Sequence, residues 1–487
     1  NAWAKLKYNA ERANDGEVIV VTGTIKASNS TATINSTSVN NFGDIVITKK
    51  VTIRAKDETG AVIDANKKDG GKTAHRIFKA DGTGAELTLQ NIKLQGGIAE
   101  DGHEIAFGGA VYVKGGAALV LDKCVVTDNS AWRGGGIYIA EDSKFEAKNG
   151  CKILQNKAVY DTSMSYSGLG GGVSTSKSGE IELSNAELND NTAEQSGGAI
   201  CIYGAKSFKI ENCTIKQNKA KRYGAGVFCD DNYAPITAEI TNSAIENNEL
   251  DQNLEQDSSG TYGGAGISFT GIGTGRTLTI SGGSIKNNKA YKLYGGGIRA
   301  GIATVTIKDN VNISGNTAEK GGGVYSIISG TFNMESGTIS GNKAVTGGGV
   351  FLSGTFNMSG GIISGNEAKK SDTEYGDGGG VYIDGTSGQL NMKGGSLIQP
   401  SADKLAGKND VYIGENKFIQ LTGALTSSSN VVANLTSGSY DSDKTLVKWS
   451  GAGDMEVYKA RFALTENGGT WSLILSTDKK SLILKPK

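Results

Sequence analysis

Apolar residues return along this chain about every 25 residues, each time in the same three settings. In 321–366 the order is Gly321-Gly322-Gly323-Val324-Tyr325, then Thr331-Phe332-Asn333-Met334, then Ile339-Ser340-Gly341-Asn342. It starts again with Gly347-Gly348-Gly349-Val350-Phe351, Thr355-Phe356-Asn357-Met358 and Ile363-Ser364-Gly365-Asn366. Glycine-led blocks begin at Gly108, Gly134, Gly170, Gly197, Gly224, Gly263, Gly295, Gly321, Gly347 and Gly378. After each, apolar residues alternate with others, as a strand with one buried face requires. A second strand carries apolar pairs such as Leu119/Leu121, Phe208/Ile210 and Phe356/Met358. A third carries one branched residue three places before an asparagine, as in Ile153, Ile215, Ile313 and Ile363. A small residue, such as Ala131 or Ala344, stands two places after that asparagine.

A unit this short cannot bury its apolar face alone, so its neighbours must stack on it. Like residues at like places predict parallel, in-register stacking at roughly 4.8 Å per coil, with right-handed crossovers. The expected fold is all-β, a right-handed parallel β-helix with three short strands per coil. The Leu-x-x-Leu-x-Leu pattern of a leucine-rich repeat is missing, and a propeller does not fit parallel ladders. Residues 1–14 read as an amphipathic helix with Trp3, Leu6, Ala10 and Ala13 on one face, a helical cap for the first coils. Past 393 the pattern loosens. Leu397 falls on the isoleucine position, Pro400 stands where the asparagine belongs, and Asp410-Val411-Tyr412-Ile413 lacks the glycines. The β-rich remainder predicts a C-terminal β cap. The expected organisation is an N-terminal cap with the first coils in 1–84, the repeat array in 85–413, and the cap module in 414–487.

Composition narrows the function. The chain has 487 residues, 72 of them Gly and 3 Pro, and its 50 basic and 50 acidic side chains cancel. A balanced charge predicts no nucleic-acid partner and no steering to an anionic membrane. No apolar run reaches the roughly 20 residues of a membrane span. Asn1 predicts a processed N-terminus, any export signal having gone with it. Five cysteines cannot all pair internally. Cys124, Cys151 and Cys213 each lie five residues before a repeat asparagine, where other units place Ala186 or Ser243, so a ladder of small residues is expected rather than a disulfide or metal site. Cys201 and Cys229 differ by one place in register and should face opposite sides. No metal and no cofactor is expected; the lone Gly376-Asp377-Gly378-Gly379-Gly380 lacks the nine-residue calcium period.

Asn129, Asn156, Asn191, Asn218, Asn248, Asn288, Asn316, Asn342 and Asn366 predict a structural ladder of stacked amides, asparagine also tolerating the left-handed conformation of a tight turn. Three insertions, 157–169, 249–262 and 367–377, fall at the same turn and are candidate ligand-binding loops. They carry Tyr160, Asp161, Tyr166, Asp251, Asp257, Tyr262, Asp372, Glu374 and Tyr375, and tyrosine among small polar residues suits adaptable recognition. The other reading is that insertions collect where they do no harm. The outward position of the glycine-led strand holds Tyr112, Tyr138, Phe228, Tyr325, Phe351, Tyr382 and Tyr412, which either hold a ligand or pack on one another. Catalysis has little to rest on. Asp230-Asp231 is the only adjacent aspartate pair, and the two histidines, His75 and His103, precede the main array. The expectation is a protein that is not an enzyme, with a polysaccharide lyase or glycoside hydrolase at Asp230 and Asp231 as the alternative.

Gly108-Gly109-Ala110-Val111 and Gly197-Gly198-Ala199-Ile200, each near an apolar-x-x-Asn, resemble the repeats of the polymorphic outer membrane proteins of chlamydial type. Those pair Gly-Gly-Ala-[Ile/Leu/Val] with Phe-x-x-Asn; here Ile-x-x-Asn usually stands in. The resemblance covers about residues 85 to 413. It implies an adhesin-like passenger at the bacterial cell surface, outer-membrane associated or secreted, that binds a protein or glycan of a host or neighbouring cell. The family's membrane barrel has no counterpart in 414–487, so envelope attachment is expected through a segment outside this chain. A passive envelope spacer is the remaining alternative.

Overall fold

The computed structural model describes residues 1–66, 75–100, 106–164, 166–231, 236–255, 262–271, 275–371 and 373–487. The chain is an all-β right-handed parallel β-solenoid. It forms two compact units, Asn1–Glu239 and Ile240–Lys487.

In the first unit, the glycine-led strands stack in register, Val111 on Ile137, Val173, Ile200 and Val227. The strands with apolar pairs align Leu119, Phe145, Ile181 and Phe208. Those before the asparagines align Val126, Ile153, Leu188 and Ile215. In the second unit the matching columns are Val305, Phe332, Phe356 and Leu390, and Ile285, Ile313, Ile339 and Ile363. All of these side chains are buried, so each unit's core is a set of aliphatic and aromatic stacks. The coil contains one strand more than the sequence pattern reveals. The alanines after the asparagines lie in strands of two to four residues, Ala131 on Ala158 on Ala193 on Ala220, with Ala318, Ala344 and Ala368 in the second unit.

The first glycine of each block is left-handed, and in most blocks a second follows for lack of room, Ala225 and Ala265 standing there in the other two. Gly134 has φ +60°, and a Cβ on Gly135 would lie 2.3 Å from the Lys157 carbonyl oxygen and 2.5 Å from that of Gly171. The fifth-to-last glycine block is one residue later than expected, since Gly264, not Gly263, has the conformation and position of the others.

The asparagines form the expected ladder, with a corrected reason for the residue type. Asn191 Oδ1 accepts from both the N–H and the Nδ2 of Asn156 (3.0 and 3.1 Å), while Asn191 Nδ2 donates to Asn218 Oδ1 (3.1 Å) and to the Ile153 carbonyl (2.8 Å). Asn248, Asn288, Asn316, Asn342 and Asn366 repeat the pattern in the second unit. The left-handed residue is the one before: Asp128, Gln155, Asp190, Gln217, Asn247 and Asn287 have φ of 55° to 58°. Turn strain and amide stacking therefore fall on neighbouring positions.

Two assignments near residue 400 move. Ile363 pairs with Ile398, and Leu397 pairs with the outward Ile362, because the preceding turn holds one more residue and flips the alternation. The ladder does not end at Pro400: Asn409 Oδ1 accepts from Asn366 N (3.2 Å) and Nδ2 (2.9 Å), after a further insertion.

The N-terminal helix is Ala2–Arg12, with Trp3, Leu6 and Ala10 buried and Ala13 buried just beyond it. Trp3 Nε1 donates to the Gly43 carbonyl (3.2 Å), and the Ala4 N–H to Asn41 Oδ1 (2.9 Å). An antiparallel hairpin, Thr31–Ile34 with Thr37–Asn40, completes this end. Beyond 413, Ile419–Leu425 and Thr445–Trp449 extend the apolar-pair sheet in parallel, and Ala433–Ser437 and Phe462–Leu464 extend the glycine-led one. The antiparallel strands Trp471–Leu475 and Ser481–Pro486 then close it.

Candidate functional site

The insertion 157–169 is a built loop. Asp161 spends its carboxylate internally, accepting from the Ser163 N–H (2.8 Å) and hydroxyl (2.5 Å), which holds it below the usual carboxylate range. Ser167 Oγ accepts from the Asp161 N–H (2.8 Å) and lies 2.7 Å from the Met164 carbonyl. The Tyr160 N–H is fixed by Glu194 Oε2 (2.8 Å), itself paired with Lys157 at 2.6 Å. On this frame Tyr160 and Tyr166 stand out to solvent, 40% and 58% exposed, Tyr166 lying 5.9 Å from the Tyr203 ring.

The other two insertions are described in part. In 249–262, Asp251 Oδ1 accepts from the Asn253 N–H (2.9 Å), again shaping the turn, and Tyr262 is half-buried. Asp257 lies outside the described residues. The insertion 367–377 is a small hairpin in which Lys369 bridges Tyr375, and Glu374 pairs with Lys370 at 3.4 Å. Tyr375 is half-buried under Lys408 Nζ, 5.2 Å from its centroid, and Lys408 pairs with Asp403 at 2.7 Å. Asp372 lies outside the described residues. The sequence reading missed Lys408 and Asp403 because it ended the ladder at Pro400; Asn409, ahead of the strand Val411–Ile413, is the signal that locates them.

The outward aromatics are not an open surface. Tyr138, Phe228, Tyr325 and Phe351 are buried, and Tyr112, Tyr382 and Tyr412 are half-buried. They stack on one another, Tyr382 on Tyr412 at 4.6 Å and 3°, and burial pushes the Tyr382 hydroxyl up to about 12. Residues just before the glycines lie over them: Phe107 stacks on Tyr138 (4.6 Å), Tyr223 on Phe228 (5.1 Å), and Lys320 Nζ lies 5.1 Å from the Phe351 centroid. Packing explains this column.

Asp230 stands half-buried opposite Tyr203, at the end of the strand Val227–Asp231; the Asp231 side chain lies outside the described residues. His75 is part of the N-terminal cap, its ring 5.0 Å from Trp3, and His103 lies outside the described residues. The cysteines are buried free thiols, with Cys201 opposite Phe228 and Cys229 opposite Ile202, one place apart as expected. Among the described residues no group of His, Cys, Asp and Glu is placed to hold a metal ion, and no helix is long and apolar enough to cross a membrane.

One concavity carries several carboxylates. On the outer face of the apolar-pair sheet of the first unit, a groove of about 550 Å³ is lined by Glu86, Glu146, Glu180, Glu182 and Glu239 with Lys144 and Lys209. Burial pushes the Glu180 carboxyl up, but Lys144 (3.1 Å) and Lys206 (3.5 Å) outweigh it and hold the group below its ordinary value. An acid that must protonate a leaving group needs the opposite shift. The groove is a mixed-charge surface.

Fold and repeat together define a β-helix repeat protein. Residues 108–299 match the family described as right-handed beta helix region, a fold that also carries carbohydrate-active enzymes. No curated protein and no solved structure matches the chain.

Proposed function

We propose that this chain is a non-enzymatic, adhesin-like β-helix protein of the polymorphic outer membrane type, displayed at or secreted from a bacterial surface. It recognises a protein or glycan of a host or neighbouring cell through its insertion loops. The observation that carries this reading is the pair Tyr160 and Tyr166, solvent-facing on a loop pinned by Asp161, Ser167 and Glu194. Two aromatic rings on a preorganised loop give contact area at low entropic cost, as recognition requires. Against the catalytic alternative, Lys144 and Lys206 hold the Glu180 carboxyl of the groove below its ordinary value, the reverse of what a catalytic acid needs.

The test is binding of the purified chain to arrays of glycans and extracellular-matrix proteins. The double substitution Tyr160→Ser with Tyr166→Ser is expected to weaken the captured interaction at least about tenfold while leaving the melting temperature unchanged. Unchanged binding would remove this loop from the proposal, and cleavage of a captured glycan would replace the proposal with an enzyme.

A further inference from the structure

We propose that the outer face of the apolar-pair sheet in the second unit binds an extended, uncharged polysaccharide laid along the direction in which the coils stack. Five successive strands from Thr277–Ser281 to Gln389–Gly394 pair in register here. Their outward residues include two central columns, with Ser281, Lys308 and Lys393 at a third outward position beyond them. One is Thr277, Thr304, Thr331, Thr355 and Gln389; the other is Thr279, Thr306, Asn333, Asn357 and Asn391. Neither column contains a charge, and every member is exposed or half-buried.

The solenoid does not demand this neutrality. In the first unit the same outward positions of the same kind of strand hold Lys144, Glu146, Glu180, Glu182 and Lys209. Solvated protein faces ordinarily carry charge, so ten consecutive uncharged hydrogen-bonding side chains are a property of this face. They are also oriented. Asn391 Nδ2 donates to Asn357 Oδ1 (2.8 Å), Asn357 Nδ2 to Asn333 Oδ1 (2.9 Å), and Asn333 Nδ2 to Thr306 Oγ1 (3.1 Å). Asn333 and Asn357 each spend one N–H and one lone pair along the column, which leaves one N–H and one lone pair to offer outward, while Asn391 Oδ1 accepts from Gln389 Nε2 (3.2 Å).

The occupant follows from charge and period. Two columns without charge, edged only by Lys308 and Lys393, give a polyanion or polycation little to pair with along the coils. The face offers two hydrogen-bonding side chains at every coil, roughly each 4.8 Å, with the two columns roughly 7 Å apart along the strand. They are two hydroxyls at Thr277/Thr279 and Thr304/Thr306, a hydroxyl and an amide at Thr331/Asn333 and Thr355/Asn357, and two amides at Gln389/Asn391. A neutral polymer with its own repeating hydroxyls meets a new pair of partners at each rung, and the threonine methyls meet its C–H faces. Because the face has no walls, a single sugar would bury little surface. Binding must therefore accumulate with chain length, as linked contacts do.

Stacked amides also stabilise a sheet by themselves, so the test spares them. Thr331→Val with Thr355→Val keeps the β-branched shape, leaves the asparagine column intact and removes only hydroxyls. The full-length chain is run by affinity electrophoresis in hydroxyethyl cellulose, glucomannan and amylose, and in anionic carboxymethyl cellulose. The expected result is retardation by a neutral polymer that survives added salt and strengthens from disaccharide to decamer competitors. In the valine pair it should weaken about tenfold with an unchanged melting temperature. Retardation by none of the neutral polymers would overturn the proposal, as would stronger retention by carboxymethyl than by hydroxyethyl cellulose, or an unaffected valine pair. Tyr160→Ser with Tyr166→Ser should leave this binding intact, so failure here and failure of the loop reading remain separate results.

Discussion

Asn191 shows what one buried amide does in this fold. It is 0% exposed, accepts two hydrogen bonds from Asn156 and donates one to Asn218 and one to the Ile153 carbonyl. Alanine would leave the Asn156 N–H and one of its two Nδ2 hydrogens without an acceptor, the other staying on the Val126 carbonyl, and would take the Nδ2 donor from the Ile153 carbonyl in a dry interior. At 1–3 kcal/mol per orphaned group, partly relieved by water entry, Asn191→Ala should cost about 4 kcal/mol locally. Because repeat arrays need not unfold in one step, the measure is amide hydrogen exchange of the flanking strands Lys152–Leu154 and Thr214–Lys216. Protection there should fall about a thousandfold. A change below tenfold would mean that the coil stack, and not the ladder, holds these strands.

At the scale of elements, the N-terminal cap should respond to pH through His75. The ring packs against Trp3, its Nδ1 donates to the Arg76 carbonyl (2.5 Å), and its Nε2 is buried without a hydrogen-bond partner. Burial depresses the His75 pKa below 6.5; the Arg76 carbonyl and Asp44 oppose this, and Lys7 adds to it. The unfolded cap then binds the proton more readily than the folded one. The stability it contributes is present in full above the ordinary imidazole value and is lost as pH falls through the depressed one. Acidification from neutral pH should loosen the helix Ala2–Arg12, read as a change in Trp3 fluorescence at lower urea, and His75→Phe should remove that dependence. An identical acid response in the Phe variant would assign it to another group, and not to Asp44, whose burial pushes its carboxyl up so that acid favours the fold there. How far such elements can be read from sequence depends on what constrains them. Strands whose apolar residues recur with an asparagine at fixed distance were legible, because stacking forces every coil to repeat the same chemistry. Ile398 was misread as Leu397 since one added turn residue inverts inside and outside, and spacing to a missing landmark cannot reveal that. The alanine strands were illegible because two to four residues with one buried alanine carry no periodicity. The candidate loops were located by their length, but Asp161 and Asp251 were read as ligand groups when their carboxylates close the turns that shape the loops. The neutral Thr/Asn face was in plain view as Thr331-Phe332-Asn333 and Thr355-Phe356-Asn357. It carries no signal of its own in the repeat, because the buried residue between the two polar ones is what stacking constrains.

At the scale of the whole molecule, a stack of parallel coils must end, and every end presents a row of unpaired N–H and C=O groups. In the second unit the end is closed by a change of direction. The parallel strand Thr445–Trp449 is covered by Ser481–Pro486 running antiparallel, Thr445 opposite Ile483 and Lys448 opposite Ser481. Trp471–Leu475 then pairs with the outer edge of that strand. Leu482 and Leu484 are buried beneath it, so the hairpin is a lid with its own apolar anchor as well as an edge cover. An antiparallel strand cannot be continued by another copy of the repeat, whose strands all run parallel and in register, and that mismatch stops the stack from growing. Removing residues 466–487 would uncover the edge of Thr445–Trp449, with its buried Val447, while leaving the coils before it with their own cores. The expected result is a chain that keeps its β-sheet circular dichroism but self-associates with rising concentration, measured by sedimentation velocity against the full chain. Replacing Val447 by Lys in the truncated form should restore the monomer, because a charge on an exposed edge opposes strand addition. Self-association that persists in the lysine variant would place the sticky surface elsewhere, and a truncated chain that stays monomeric would show that the end coil protects its own edge without the hairpin.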